Sequence, residues 1–183
     1  MATWNLDPAH TRANFSARHM MVTTVRGGFD KVSGTLIFDP KNPQASSVEA
    51  TIEAASINTG VNDRDNHLRS GDFLDVANYP TIIFKSTSVQ PTSDTTANVT
   101  GDLTIRDVTR PVTLKVEFLG ESYGFNSQRA GFEATTKINR EDFGLTWNVA
   151  LETGGVLVGK DITLNIDAET VQVPEGEAAS ASA

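Results

Sequence analysis

The sequence predicts an all-β protein: one antiparallel sheet of about eight strands, closed as an up-and-down barrel or split into a sandwich. Three observations predict it. Apolar residues recur at every second position over six separate stretches. Each stretch has one apolar and one polar face, as in an antiparallel sheet packed on one side. Turn-forming clusters separate the stretches. Closure would remove free edges, and either closure leaves an apolar interior.

Taken in order, TRANFSARH places Ala13, Phe15 and Ala17 on one parity, with Arg12, Asn14, Ser16 and Arg18 on the other. In SVEATIEA, Val48, Ala50, Ile52 and Ala54 share a face. The pattern returns with Val99, Leu103 and Ile105, with Val112, Leu114, Val116 and Phe118, with Phe132, Ala134, Thr136 and Ile138, and with Ile162, Leu164, Ile166 and Ala168. Turns are expected at DPKNP (39–43), QPTSD (90–94) and RDVTRP (106–111), with Pro111 just after the last. Gly154-Gly155 reads as a turn and Gly27-Gly28 as a bend in a strand. The segment NREDFGLTW (139–147), carrying Phe143, Leu145 and Trp147, is irregular. Residues 1–173 form the expected domain, and the small polar tail 174–183 is expected to be disordered.

Residues 61–78 break the strand period and predict a helical crossover. Asn62 or Asp63 would cap its start, Gly71 would interrupt it, Asp72 would cap a second short turn, and Tyr79-Pro80 would end it. Within it, DRDNHLRSGDFLD (63–75) holds six charged residues and one of the chain's three histidines. Asp63 and His67, and Asp65 and Arg69, stand i, i+4 apart and are expected to pair. Such a stretch can be an acid–base or metal site, or a surface helix whose charges face water while Leu68, Phe73, Leu74 and Val76 are buried.

Composition narrows the function. The chain has 183 residues, 38% hydrophobic and 21% charged, with a formal net charge of −8. That balance argues against nucleic acid and against electrostatic docking on anionic lipid, while leaving room for a local basic pocket. With no cysteine, disulfides, thiolate nucleophiles and Cys-based zinc sites are excluded. His10, His19 and His67 lack metal-ligand spacing, so no metal and no cofactor is expected. No G-x-S-x-G, P-loop or G-x-G-x-x-G occurs. MATWNLDPAH lacks the regions of a signal peptide, and no apolar run is long enough to span a membrane. The expected location is the cytoplasm, although a mature periplasmic form would read the same.

Five segments carry a resemblance: WNLDPAHTRANFSARHMMVTTVRGGF (4–29), HLRSGDFLDVANYPTIIFKST (67–87), GDLTIRDVTRPVTLKVEF (101–118), INREDFGLTWN (138–148) and VLVGKDITLNIDAE (156–169). In order, over roughly residues 3–173, they resemble the YceI family of lipocalin-like polyisoprenoid-binding proteins. The lipocalin G-x-W signature is absent, since Trp4 follows Ala2 and Thr3. The resemblance implies a lipocalin-like antiparallel barrel with a long apolar lumen, a long-chain isoprenoid ligand such as a polyprenyl phosphate or isoprenoid quinone, and a homodimer. The expected lumen residues are Phe15, His19, Phe29, Phe38, Ile52, Leu68, Phe73, Leu74, Phe84, Leu103, Phe132, Phe143 and Trp147. An anionic head group would need a cation at the mouth. His19, on the lumen parity, is the first candidate, followed by Arg18, Arg26 and Arg69.

Three functions are therefore weighed. The first is a non-enzymatic carrier or store of an isoprenoid lipid, without stable membrane insertion. The second is a hydrolase or isomerase using His19 or His67 with a nearby carboxylate, and the third a stress-related interaction module with a filled core. Sequence alone does not separate a filled core from a lined cavity.

Overall fold

A computed structural model describes residues 1–176. It runs through β1 (Ala2–Leu6), β2 (Arg12–His19), β3 (Thr23–Phe29), β4 (Val32–Phe38), β5 (Ser47–Glu53), β6 (Ile57–Asn58), α1 (Asn62–Arg69), β7 (Thr81–Pro91), β8 (Thr96–Ile105), β9 (Val108–Gly124), β10 (Ser127–Asn139) and β11 (Val158–Gln172). Eight of these strands close an antiparallel ring in the order β1-β4-β5-β7-β8-β9-β10-β11, with β11 returning to β1. The expected barrel is present.

The ring has an annex that periodicity did not predict. β11 is 15 residues long, about 50 Å at ~3.3 Å per residue, whereas β1 has 5. Residues 170–172 of β11 pair with β1, while positions 158–167 pair with β2. β3 and the two-residue β6 continue outward from β2. Register shifts at Gly131/Phe132, Ser86/Ser88 and Val158/Ile162 supply the local bends that ring closure needs.

The turns fall close to their expected places. Asp39 accepts the backbone N–H of Lys41 at 2.9 Å and a short 3-10 helix follows over Pro43–Ala45. β7 continues through Pro91, so its turn lies at 92–95. Pro111 stands inside β9, opposite Asp102. It is tolerated because β10 pairs with β9 only from Lys115 onward, so no second neighbour asks for the missing N–H. Gly154 and Gly155 form a turn with φ of +89° and +87°. Gly27-Gly28 is not a bend but regular β3: a Cβ on Gly27 would meet the Phe15 ring and the Thr59 methyl at 2.8 Å.

The crossover differs most. α1 spans Asn62–Arg69, shorter than 61–78, and Ser70 ends it, its hydroxyl donating to the His67 carbonyl at 2.6 Å. Turns then occupy 71–74 and 76–78. Neither Asn62 nor Asp63 caps the start: Val61 holds that position, with no side-chain cap. Asp72 caps no helix either. Asp65 does not face water. It is 4% exposed and its Oδ1 accepts the Thr59 N–H at 2.8 Å and the Thr59 hydroxyl at 2.5 Å. Arg69 donates to the carbonyls of Ala55 (2.9 Å) and Ile57 (2.8 Å), not to Asp65. The helical i, i+4 pairs lose to main-chain groups around β6, which have few sheet partners and must bond to something.

The expected tail, 174–183, lies from residue 177 onward outside the described residues.

Candidate ligand-binding lumen

The inner faces of the ring enclose a cavity of about 680 Å³. Val112, Leu114, Val116 and Phe118 of β9, Ile162, Leu164 and Ile166 of β11, and Val48 and Phe84 line it and are half-buried rather than buried. In a packed core such residues would be out of reach of water. Their remaining exposure faces the lumen, so the barrel is hollow and not filled.

The expected lumen residues can now be placed. Phe15 and His19 of β2, Phe29 of β3, Phe38 of β4, Ile52, Phe84, Leu103 and Phe132 line the cavity from the sheet. Leu68 of α1, Phe73 and Leu74 after it, and Trp147 line it from the crossover and the β10–β11 connection. Phe143 does not: it is 2% exposed and packs in the core beneath that end. The parity of the strands carried no information about a residue in a 3-10 turn.

The head-group candidates separate too. Arg18 lines the mouth beside His19. Arg26 lies on the outer face of β3, away from the cavity, and Arg69, bonded to the Ala55 and Ile57 carbonyls, does not line it either. Two arginines that sequence reasoning passed over line the α1 end instead. Arg64 donates to the Thr59 hydroxyl (2.7 Å) and carbonyl (2.8 Å). Arg140, 3% exposed, donates to the carbonyls of Leu145 (2.6 Å), Gly159 (3.0 Å) and Val158 (3.2 Å). Its guanidinium carbon stands 5.9 Å from the centre of the Phe73 ring. Burial holds the Arg140 pKa below the ordinary guanidinium value, with Glu141 opposing the shift, and arginine stays charged near neutral pH even so. No carboxylate pairs with it among the described residues. The signal for Arg140 lay in its place on NREDFGLTW beside the apolar Phe143 and Leu145, where a charge invites a buried role.

His67 pairs with neither Asp63 nor the barrel wall. Its Nε2 donates to Asp72 at 2.9 Å, both groups being partly exposed. The ring is held edge-on by Phe73 (5.1 Å between centroids) and Trp147 (4.5 Å). His19 lines the lumen, and its ring makes no hydrogen bond among the described residues. The opposite end is apolar: Phe38, Phe118 and Phe132 form a box with centroids 5.2–5.5 Å apart, backed by buried Trp4 and Ala130.

Outside the lumen, Asp7, His10 and Glu169 converge on the outer wall. Arg129 bonds to both carboxylates, at 3.0 Å to Asp7. The His10 hydrogen bond holds Asp7 below the usual carboxylate range, and the same bond, with Glu169 nearby, raises His10 above the ordinary imidazole value.

Residues 4–170 match the YceI-like domain. The chain belongs to the YceI-like family. A UPF0312 protein of Staphylococcus aureus is 40% identical over 171 residues, 92% of this chain and 97% of its own length. Among solved structures, the Campylobacter jejuni YCEI protein superposes with a TM-score of 0.72 at 31% identity, covering 86% of this chain and 90% of that one. A polyisoprenoid binding domain from Saccharophagus degradans superposes with a TM-score of 0.70 over 94% of this chain and 100% of its own. At 15% identity that likeness concerns the fold alone. The family read from the five sequence segments is the one shown.

Proposed function

We propose that this protein binds a long-chain isoprenoid lipid in its lumen, as a carrier or store, with the head group at the α1 end. The observation that carries the reading is the hollow apolar wall, whose half-buried residues run from the aromatic box to α1. A polyisoprene tail offers no hydrogen bonds, so its recognition must come from buried area. Burying about 400 Å² of tail contributes on the order of 10 kcal/mol before the cost of association is subtracted. Membership of the YceI-like family is consistent with this class of ligand.

Arg140, Arg64 and His19 are the groups we assign to a phosphate-type head. Arg140 in particular is a buried cation with no carboxylate partner among the described residues. We read His67 as a positioning residue. Its bond to Asp72 has the length an acid–base pair requires, but its ring is wedged between Phe73 and Trp147 and braces the mouth. No enzymatic role is proposed. The homodimer and the cytoplasmic location belong to the proposal, checked by light scattering and by cell fractionation.

The test is organic extraction and native mass spectrometry of purified protein, followed by titration with a polyprenyl phosphate. The proposal expects a lipid-sized adduct or stoichiometric uptake. Neither adduct nor uptake would overturn it.

A further inference from the structure

The β2–β3 hairpin turns through Met20 and Met21, both in the left-handed region, with φ of 51° and 66°. The Val22 N–H donates to the His19 carbonyl at 3.2 Å, closing the turn. A turn whose two central residues both take positive φ favours Asn-Gly there, because side chains with a Cβ resist that region. Here two methionines occupy those positions and stand exposed, Met20 at 47% and Met21 at 61%, with Val22 beside them at 74%. Strained backbone that displays apolar side chains to solvent calls for a function.

The tip is continuous with the lumen mouth. The Met20 N–H donates to the carbonyl of Leu157, a lining residue, at 2.8 Å, and Leu157 in turn donates to Val149 at 2.9 Å. Val149 and Val156 are themselves exposed, and Met21 lies across Gly155. The apolar surface therefore runs from the hairpin tip over the 149–157 connection to His19, Val158 and the cavity. Arg18, Arg26 and Lys160 stand behind it, none in a salt bridge among the described residues. Glu152 and Asp161 are the acidic groups nearby in sequence. An apolar tip with cations set back from it is complementary to a bilayer with anionic head groups, in a protein whose net charge of −8 would otherwise be repelled.

We propose that this rim docks on an anionic lipid bilayer and passes the apolar cargo between membrane and lumen, an inference that rests on the lumen binding a lipid. The hairpin enters the interface without spanning it. Methionine suits the task, being flexible, apolar and tolerant of irregular surroundings.

The test uses the full chain, the double variant Met20→Asn/Met21→Gly and the control Phe125→Ser, which alters the exposed β9–β10 tip. The double variant places favoured residues in the turn, so its melting temperature is expected to hold or rise. Flotation uses vesicles of phosphatidylcholine alone and of phosphatidylcholine mixed with phosphatidylglycerol. The wild type and Phe125→Ser should float with the mixed vesicles, less so in high salt, while the double variant binds about tenfold more weakly or not at all. Polyprenyl phosphate offered in detergent should load all three proteins equally. From vesicles, the double variant should load about tenfold more slowly. The rim inference is overturned if the wild type does not float, if the double variant floats as well, if Phe125→Ser is the variant that fails, or if the double substitution instead abolishes a dimer. Failure of all three proteins to load from detergent overturns the lumen reading itself.

Discussion

At the α1 end of the lumen, Arg64, His67 and Arg140 reach the cavity, and most of their hydrogen bonds go to main-chain carbonyls of a crossover and an irregular connection. At the other end, Phe38 meets Phe132 edge to face and Phe118 packs tilted against both, over Trp4, on the strands of the ring. Polar groups there are Thr170, whose hydroxyl donates to the Ala130 carbonyl at 3.1 Å, and those of the loops around Ser46 and 93–96. The difference gives the lumen a direction. A ligand with one charged and one apolar end loses least by placing its head near Arg140 and its tail in the aromatic box. The polar end is also the one whose order depends on several side chain to backbone bonds, whereas the apolar end rests mainly on packing, with one such bond from Thr170 to Ala130.

The largest effect expected from breaking this contrast lies in the aromatic box. Phe38→Ala removes a buried ring that two others pack upon and should cost about 3–5 kcal/mol in urea unfolding. At the opposite end Asp65→Ala should cost less, about 1–3 kcal/mol, because it leaves the Thr59 N–H and hydroxyl without an acceptor. A cost equal to that of Phe38→Ala would mean that the two ends are not built differently. Arg140→Lys keeps a charge but loses the planar fork. It should weaken a polyprenyl phosphate by about tenfold relative to an isoprenoid quinone, whose head is uncharged. Equal weakening of both ligands would place the head elsewhere.

The smallest effect concerns pH and the outer-wall network. The folded pKa of Asp7 lies below its ordinary 3.8, so its contribution is present above that value and is lost as pH falls through the folded one. The folded pKa of His10 lies above 6.5, so its contribution is complete below 6.5 and is lost as pH rises through the folded one. The network is thus strongest between the two. Melting curves should show a shallow stability maximum there, of the size expected for exposed ion pairs, and His10→Asn should flatten its alkaline side.

Five ring strands, β5, β8, β9, β10 and β11, were legible because each presents an alternating face, and so was β2 of the annex, whereas β1, β4 and β7 were not singled out. Less legible was the β2–β3–β6 annex, since its existence depends on β11 being longer than β1, a relation between distant segments. Hollowness was not legible at all: Leu114 or Leu164 reads the same whether it meets another side chain or open space. Arg140 and Asp65 were missed for a shared reason. Both answer main-chain groups in irregular stretches, Leu145, Val158 and Gly159 for one and Thr59 for the other. Periodic rules, such as the i, i+4 pairing expected of Asp65 with Arg69, do not see such groups.

The measurement closest to the central claim places a large ring where the lumen is held to be empty. Leu114→Trp, midway along β9, should fold with a cost under about 1 kcal/mol, because a hollow site accepts volume that a packed one refuses at 1–3 kcal/mol. The variant should also lose stoichiometric uptake of polyprenyl phosphate that the wild type shows. Strong destabilisation, or uptake unchanged by the tryptophan, would contradict the account.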